Sequence, residues 1–92
     1  MEKQNDRYRP EDVYQAAVEN WGERVQIIVA IEEFSELTKA LTKTLRGFDA
    51  KDSVAEEMAD VEIMLGQLKV MFGDNEEMFR AKLDRLVGRI GL

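Results

Sequence analysis

The chain has 92 residues and a formal charge of −6 at neutral pH, with 45% hydrophobic and 35% charged residues. That balance suits one folded domain spanning 1–92 rather than a disordered chain, and its sign argues against nonspecific nucleic-acid binding, which needs Lys and Arg to neutralise phosphates. There is no histidine and no cysteine, so disulfide staples, Ser-His-Asp triads and the usual zinc sites are excluded; carboxylate oxygen remains as metal donor, the preference of Mg²⁺, Mn²⁺ or Ca²⁺.

The residues from Met1 to Glu11 are polar, and no apolar run approaches the roughly 18 residues needed to cross a bilayer. Neither a membrane span nor a secretory signal is expected, and the expected location is cytoplasmic. Pro10 suits a first helical position, with Glu11 and Asp12 placed where the helix dipole favours acids. The first helix is predicted to run to about Trp21, where Gly22 stops or bends it. A long second helix follows from Glu23 to Arg46, closed by Gly47. Ser53-Val54-Ala55-Glu56 has the pattern of a capping box and predicts the start of the third helix, which ends at Phe72 before Gly73. Asp74 or Asn75 then caps a fourth helix to about Val87, with Gly88 and Gly91 loosening the tail.

No segment alternates with period two for long enough to make a strand. The expected fold is therefore all-α, a compact four-helix chain. On the third helix Val54, Met58, Val61, Leu65, Leu68 and Phe72 form the expected core stripe. The second helix is apolar over a wider arc, from Val25 through Ile31 and on to Leu45. So broad a face in a short chain predicts a helical bundle completed by homo-oligomerisation, as a homodimer or homotetramer.

Two acidic clusters interrupt these apolar faces: Glu32-Glu33-Phe34-Ser35-Glu36 and Glu56-Glu57-Met58-Ala59-Asp60. Glu33 with Glu36, and Glu57 with Asp60, stand three residues apart, so each pair points from one helical face. Either pair alone would read as an ordinary wet surface. Here the first shares a ridge with Val29, Ala30, Leu37 and Ala40, and the second lies among Val54, Val61 and Met64. Carboxylates so placed repel each other and lose hydration unless a cation joins them, and a divalent metal is the economical choice. An antiparallel pairing about a loop at 47–52 leaves the two pairs out of register by about six residues, roughly 9 Å. The loop must fold back along the second helix, or one helix must end early.

Glu32-Glu33-x-x-Glu36, twenty residues, then Glu57-x-x-Asp60 resembles the signature of the all-α nucleoside triphosphate pyrophosphatases, the MazG-like proteins and dimeric dUTPases. Gln26, Leu37, Lys39 and Ala59-Asp60-Val61 agree with it, the similarity spans roughly Trp21 to Phe72, and Lys82-Leu83-Asp84-Arg85-Leu86 is a weaker echo. The resemblance implies metal ligands at Glu33, Glu36, Glu57 and Asp60, with Glu32 orienting or activating the attacking water. It implies Mg²⁺, with Mn²⁺ as a substitute, and hydrolysis of a (d)NTP to (d)NMP and pyrophosphate through a metal-activated water. Met64 stands where relatives often carry an aromatic or polar base-reader, so the resemblance does not extend to base preference.

Lys39, Lys82 and Arg85 are candidates for phosphate contact, although solvated faces account for them equally well, and Trp21 is a candidate for stacking on a base, although packing beside Gly22 is the commoner use of such a residue. Gly66 within the third helix predicts close approach of another helix. The alternative in a different class is a non-catalytic helical interaction or regulatory module that retains the fold.

Overall fold

A computed structural model describes residues 7–92. The polar stretch 1–6, part of the segment that carries no expected secretory signal, lies outside the described residues. Four helices form, with no strand among the described residues: α1 Pro10–Trp21, α2 Glu23–Leu45, α3 Lys51–Phe72 and α4 Glu76–Ile90. None is long and apolar enough to cross a membrane.

Pro10 opens α1 with Glu11 and Asp12 in its first turn. Gly22 closes it through an N–H donated to the Val18 carbonyl at 2.8 Å and also precedes the first residue of α2. A one-residue joint of this kind needs the positive φ of +93° found at Gly22, which L side chains rarely adopt. At the other end of α2 the Phe48 N–H reaches back to the Lys43 carbonyl at 3.1 Å. The Arg46 guanidinium also covers the Phe48 ring, 5.2 Å from its centre.

The expected capping box at Ser53 does not form. α3 begins three residues earlier, with Ala50 in the capping position without a side-chain hydrogen bond and Lys51 as its first residue. Ala50 is 8% exposed and its carbonyl accepts the Val54 N–H at 2.8 Å. Burial of this alanine sets the start of the helix, overriding the local preference of Ser53 for a cap. At α4, Asn75 is the capping residue, while the Asp74 carboxylate accepts the Glu76 N–H at 3.0 Å. The helix continues through Gly88 and ends against Gly91 in the left-handed conformation.

α2 and α3 pack as the main antiparallel pair; α1 lies on α3 and, less extensively, on α2. Gln26 donates to Gln67 across the α2–α3 interface at 2.7 Å, and both side chains are buried. Seven residues on from Gln26 is Glu33, and seven back from Gln67 is Asp60, whose carboxylates meet. The acidic pairs are therefore in register. The loop folds back as required: Lys43, Phe48, Ala50 and Ser53 line one recess, leaving Leu45, the last residue of α2, 87% exposed.

The face of α3 that meets α2 carries Val54, Glu57, Val61, Met64, Gln67, Leu68 and Met71, all buried or half-buried. It shares Val54, Val61 and Leu68 with the expected stripe but is rotated by about one residue. Met58, Leu65 and Phe72 are exposed, the last by 72%. The hydrophobic period is that of a helix either way. Which of two overlapping apolar lines faces α2 depends on the partner helix, and here the line includes polar residues as well.

The expectation of a compact four-helix chain is corrected. α4 packs against none of the other three helices, and the radius of gyration is 16.2 Å, against about 12 Å for a globule of this length. The core of α1–α3 is thin. Its buried apolar residues are Val18, Ala30, Ala40, Ala50 and Met64, and no large side chain is fully buried. So small a core does not supply a surface that draws α4 in.

Candidate metal centre

Glu33 comes from the middle of α2; Glu57 and Asp60 come from the second and third turns of α3. Each offers a carboxylate oxygen within 4.8 Å of those of the other two, and all three residues are half-buried. The three-residue step between Glu57 and Asp60 turns both toward α2. The heptad-like register through Gln26 and Gln67 places Glu33 opposite them.

The electrostatics are unfavourable for three bare anions. Burial, followed by the charges of Asp60, Glu57, Glu36 and Glu32, raises the Glu33 carboxyl above the usual carboxylate range. Glu57 is also raised, first by burial and then by Asp60, Glu36 and Glu56, while Lys39 pulls in the opposite direction. Its Oε1 is buried without a hydrogen-bond partner. A buried carboxylate oxygen with no donor costs free energy, and a cation would meet that need.

Three carboxylate oxygens from two helices are the donor chemistry that hard divalent cations such as Mg²⁺, Mn²⁺ or Ca²⁺ take. Oxygens bound about 2.1 Å from one ion lie at most about 4.2 Å apart, so the 4.8 Å spread closes by a small rotation of flexible side chains.

Among the other residues singled out from the sequence, Glu36 does not join the group of three. Its Oε1 lies 3.9 Å from the Lys39 Nζ, with both side chains more than half exposed. It nevertheless acts on Glu33 and Glu57 through its charge, as Lys39 acts on Glu57. These two form the exposed lip of the site. Glu32 is exposed beside Glu33. Met64, one turn beyond Asp60, is 4% exposed and belongs to the core.

Trp21 ends α1 at its joint with α2, beside Val25, Gln26 and Val29, while Glu33 lies about 15 Å along α2 from its first residue, Glu23. Lys82 and Arg85 are on α4, away from α1–α3. Within one chain, none of these three is brought to the carboxylates. Sequence reasoning missed the Gln26–Gln67 pair as the element that sets register. Gln67 stands on the same ridge as Asp60 and Met64, so its placement was available as a signal.

Compared with known proteins, the chain matches no family model, no curated protein and no solved structure.

Proposed function

We propose that the protein is a Mg²⁺-dependent nucleoside triphosphate pyrophosphohydrolase that converts a (d)NTP to the (d)NMP and pyrophosphate. The supporting observation is the convergence of Glu33, Glu57 and Asp60 from two helices, with one Glu57 oxygen buried and unpartnered. The same residues stand in the spacing that resembles the all-α pyrophosphatases. A divalent ion bound there supplies charge neutralisation and a water of lowered pKa. Glu33, Glu57 and Asp60 hold it. Glu36 lies one turn from Glu33 and joins them by swinging away from Lys39, freeing that ammonium for a phosphate. Glu32 is placed to orient the water. We assign the protein to the cytoplasm and to a homodimer or homotetramer.

The second reading, a helical regulatory module without catalysis, draws on the buried Met64 and on the distance of Trp21, Lys82 and Arg85 from the acids. A panel of nucleoside triphosphates, incubated with and without Mg²⁺, separates the two. The expected products are monophosphate and pyrophosphate, in Mg²⁺ only. Orthophosphate appearing first would mean attack at the γ-phosphorus and would overturn the assigned reaction. No turnover of any triphosphate would favour the module.

A further inference from the structure

We propose that α4 docks on a second copy of the chain, in the groove between that copy's α1 and α3, and that the exchange is reciprocal. The juxtaposition stands on α4 and the groove alone, whether or not the carboxylates bind metal.

A helix of 15 residues is marginal in water by itself and needs an apolar face to be covered. α4 has such a face: Phe79, Leu83, Leu86 and Ile90 recur at steps of four, three and four, and none is buried. Beside that stripe runs a basic ridge of Lys82, Arg85 and Arg89, while Glu76 and Glu77 occupy the first turn. The groove, about 520 Å³, has a floor of Tyr14, Leu65 and Val70 and a rim of Glu11, Glu62 and Lys69. The charges match in one direction. With α4 antiparallel to α3, its acidic first turn lies by Lys69 and its basic ridge by Glu62 and Glu11. Glu62 and Lys69 are seven residues apart; Glu76 and Lys82 are six apart.

The occupant is a second copy rather than the chain's own α4. Within its own chain α4 packs on none of the other helices; the chain turns away at Gly73, with φ +89°, and the Asp74 carboxylate accepts the Glu76 N–H at the start of α4. Two insertions, each covering four large side chains and the groove beneath, are on the scale of the ~1,200–2,000 Å² buried by a specific interface.

The chain has no cysteine, so cross-linking has no background. Glu62 and Lys82 are exposed, and replacing them leaves the core intact. Full-length protein carrying Glu62→Cys and Lys82→Cys is oxidised mildly at micromolar concentration and read by intact mass. The same is done with an equimolar mixture of ¹⁵N-labelled Glu62→Cys and unlabelled Lys82→Cys chains. The expected result is a covalent dimer from the first and a mixed-isotope dimer from the second, forming at least tenfold faster than in a Glu62→Cys/Lys51→Cys control. A disulfide within one chain would overturn the proposal in favour of α4 folding back. No acceleration over the control would overturn it outright. As a second readout, Leu83→Asp is expected to shift the mass by light scattering from dimer to monomer; an unchanged dimer counts against the docking.

Discussion

Glu57 concentrates the tension in the candidate metal centre. One of its oxygens is buried without a donor, and the negative charges of Asp60, Glu36 and Glu56 add to the burial that raises its pKa. Removing its charge should therefore help the metal-free fold and harm the metal-bound one. Glu57→Gln is expected to raise the metal-free Tm while abolishing most of the gain from added Mg²⁺; Asp60→Asn should also lose that gain. Binding to the folded state alone contributes about 2.7 kcal/mol at a hundredfold excess over Kd, and each 1 kcal/mol moves Tm by roughly 4–8 °C. Glu62, exposed on the α1 side of α3, is the control: Glu62→Gln should keep the Mg²⁺ response. Equal responses from Glu57→Gln and Glu62→Gln would reduce the cluster to a solvated surface. The raised carboxyls also set a pH dependence. Glu33 and Glu57 bind protons more tightly folded than unfolded, so protonation favours the native state. Without metal, their contribution is fully present below the ordinary carboxylate pKa and is lost as pH rises through the raised values. Melting at stepped pH with chelator should show Tm rising from neutral pH toward mild acid, and that rise should be smaller in Glu57→Gln. A fall over the same range in both proteins would contradict this.

At the level of elements, α1 and α3 come close together at Gly66. A Cβ built at Gly66 would run into the Tyr14 ring, which accounts for a glycine inside a 22-residue helix. Alanine there gains about 1 kcal/mol of helix propensity, but overpacking typically costs about 1–3 kcal/mol. Gly66→Ala is therefore expected to destabilise on balance, and Tyr14→Ala in the same chain to recover the propensity gain. A double-mutant cycle by chemical denaturation reads the coupling; additive effects would mean that the ring simply moves aside. The α2–α3 contact is of a different kind. Its register is held by a buried amide pair, Gln26 and Gln67, with Gln67 also donating to the Met64 sulfur at 3.7 Å. Sliding α3 by one turn would strand both amides and separate Glu33 from Asp60.

The whole molecule leaves much apolar surface uncovered. Val25, Ile28 and Ile31 on α2, Met58, Leu65 and Phe72 on α3, and the stripe of α4 are exposed or half-exposed. A lone chain would thus present patches that monomers rarely carry. The expected mass by light scattering at micromolar concentration is that of a dimer or a multiple of one. A monomer would remove the partner surface proposed for α4.

The all-α class and the places where helices break were legible in the sequence, because they follow from local chemistry: Pro10 with two acids, and glycines at 22, 47, 73 and 91, all of which adopt positive φ. The acidic ridge was legible too, since a spacing of three puts two carboxylates on one face whatever the helix packs against. Tertiary structure alone decided which apolar line of α3 faces α2, because Met58 and Leu65 repeat with the same period as Val61 and Leu68. It also placed the start of α3 at buried Ala50 rather than at Ser53. It selected Glu33, Glu57 and Asp60 as the group in contact and left Glu36 with Lys39, a choice that depends on the axial register of two helices. Finally, it held α4 clear of the other three. Amphipathicity shows that a helix needs a covering surface, but only the geometry of the chain decides whether its own bundle provides one.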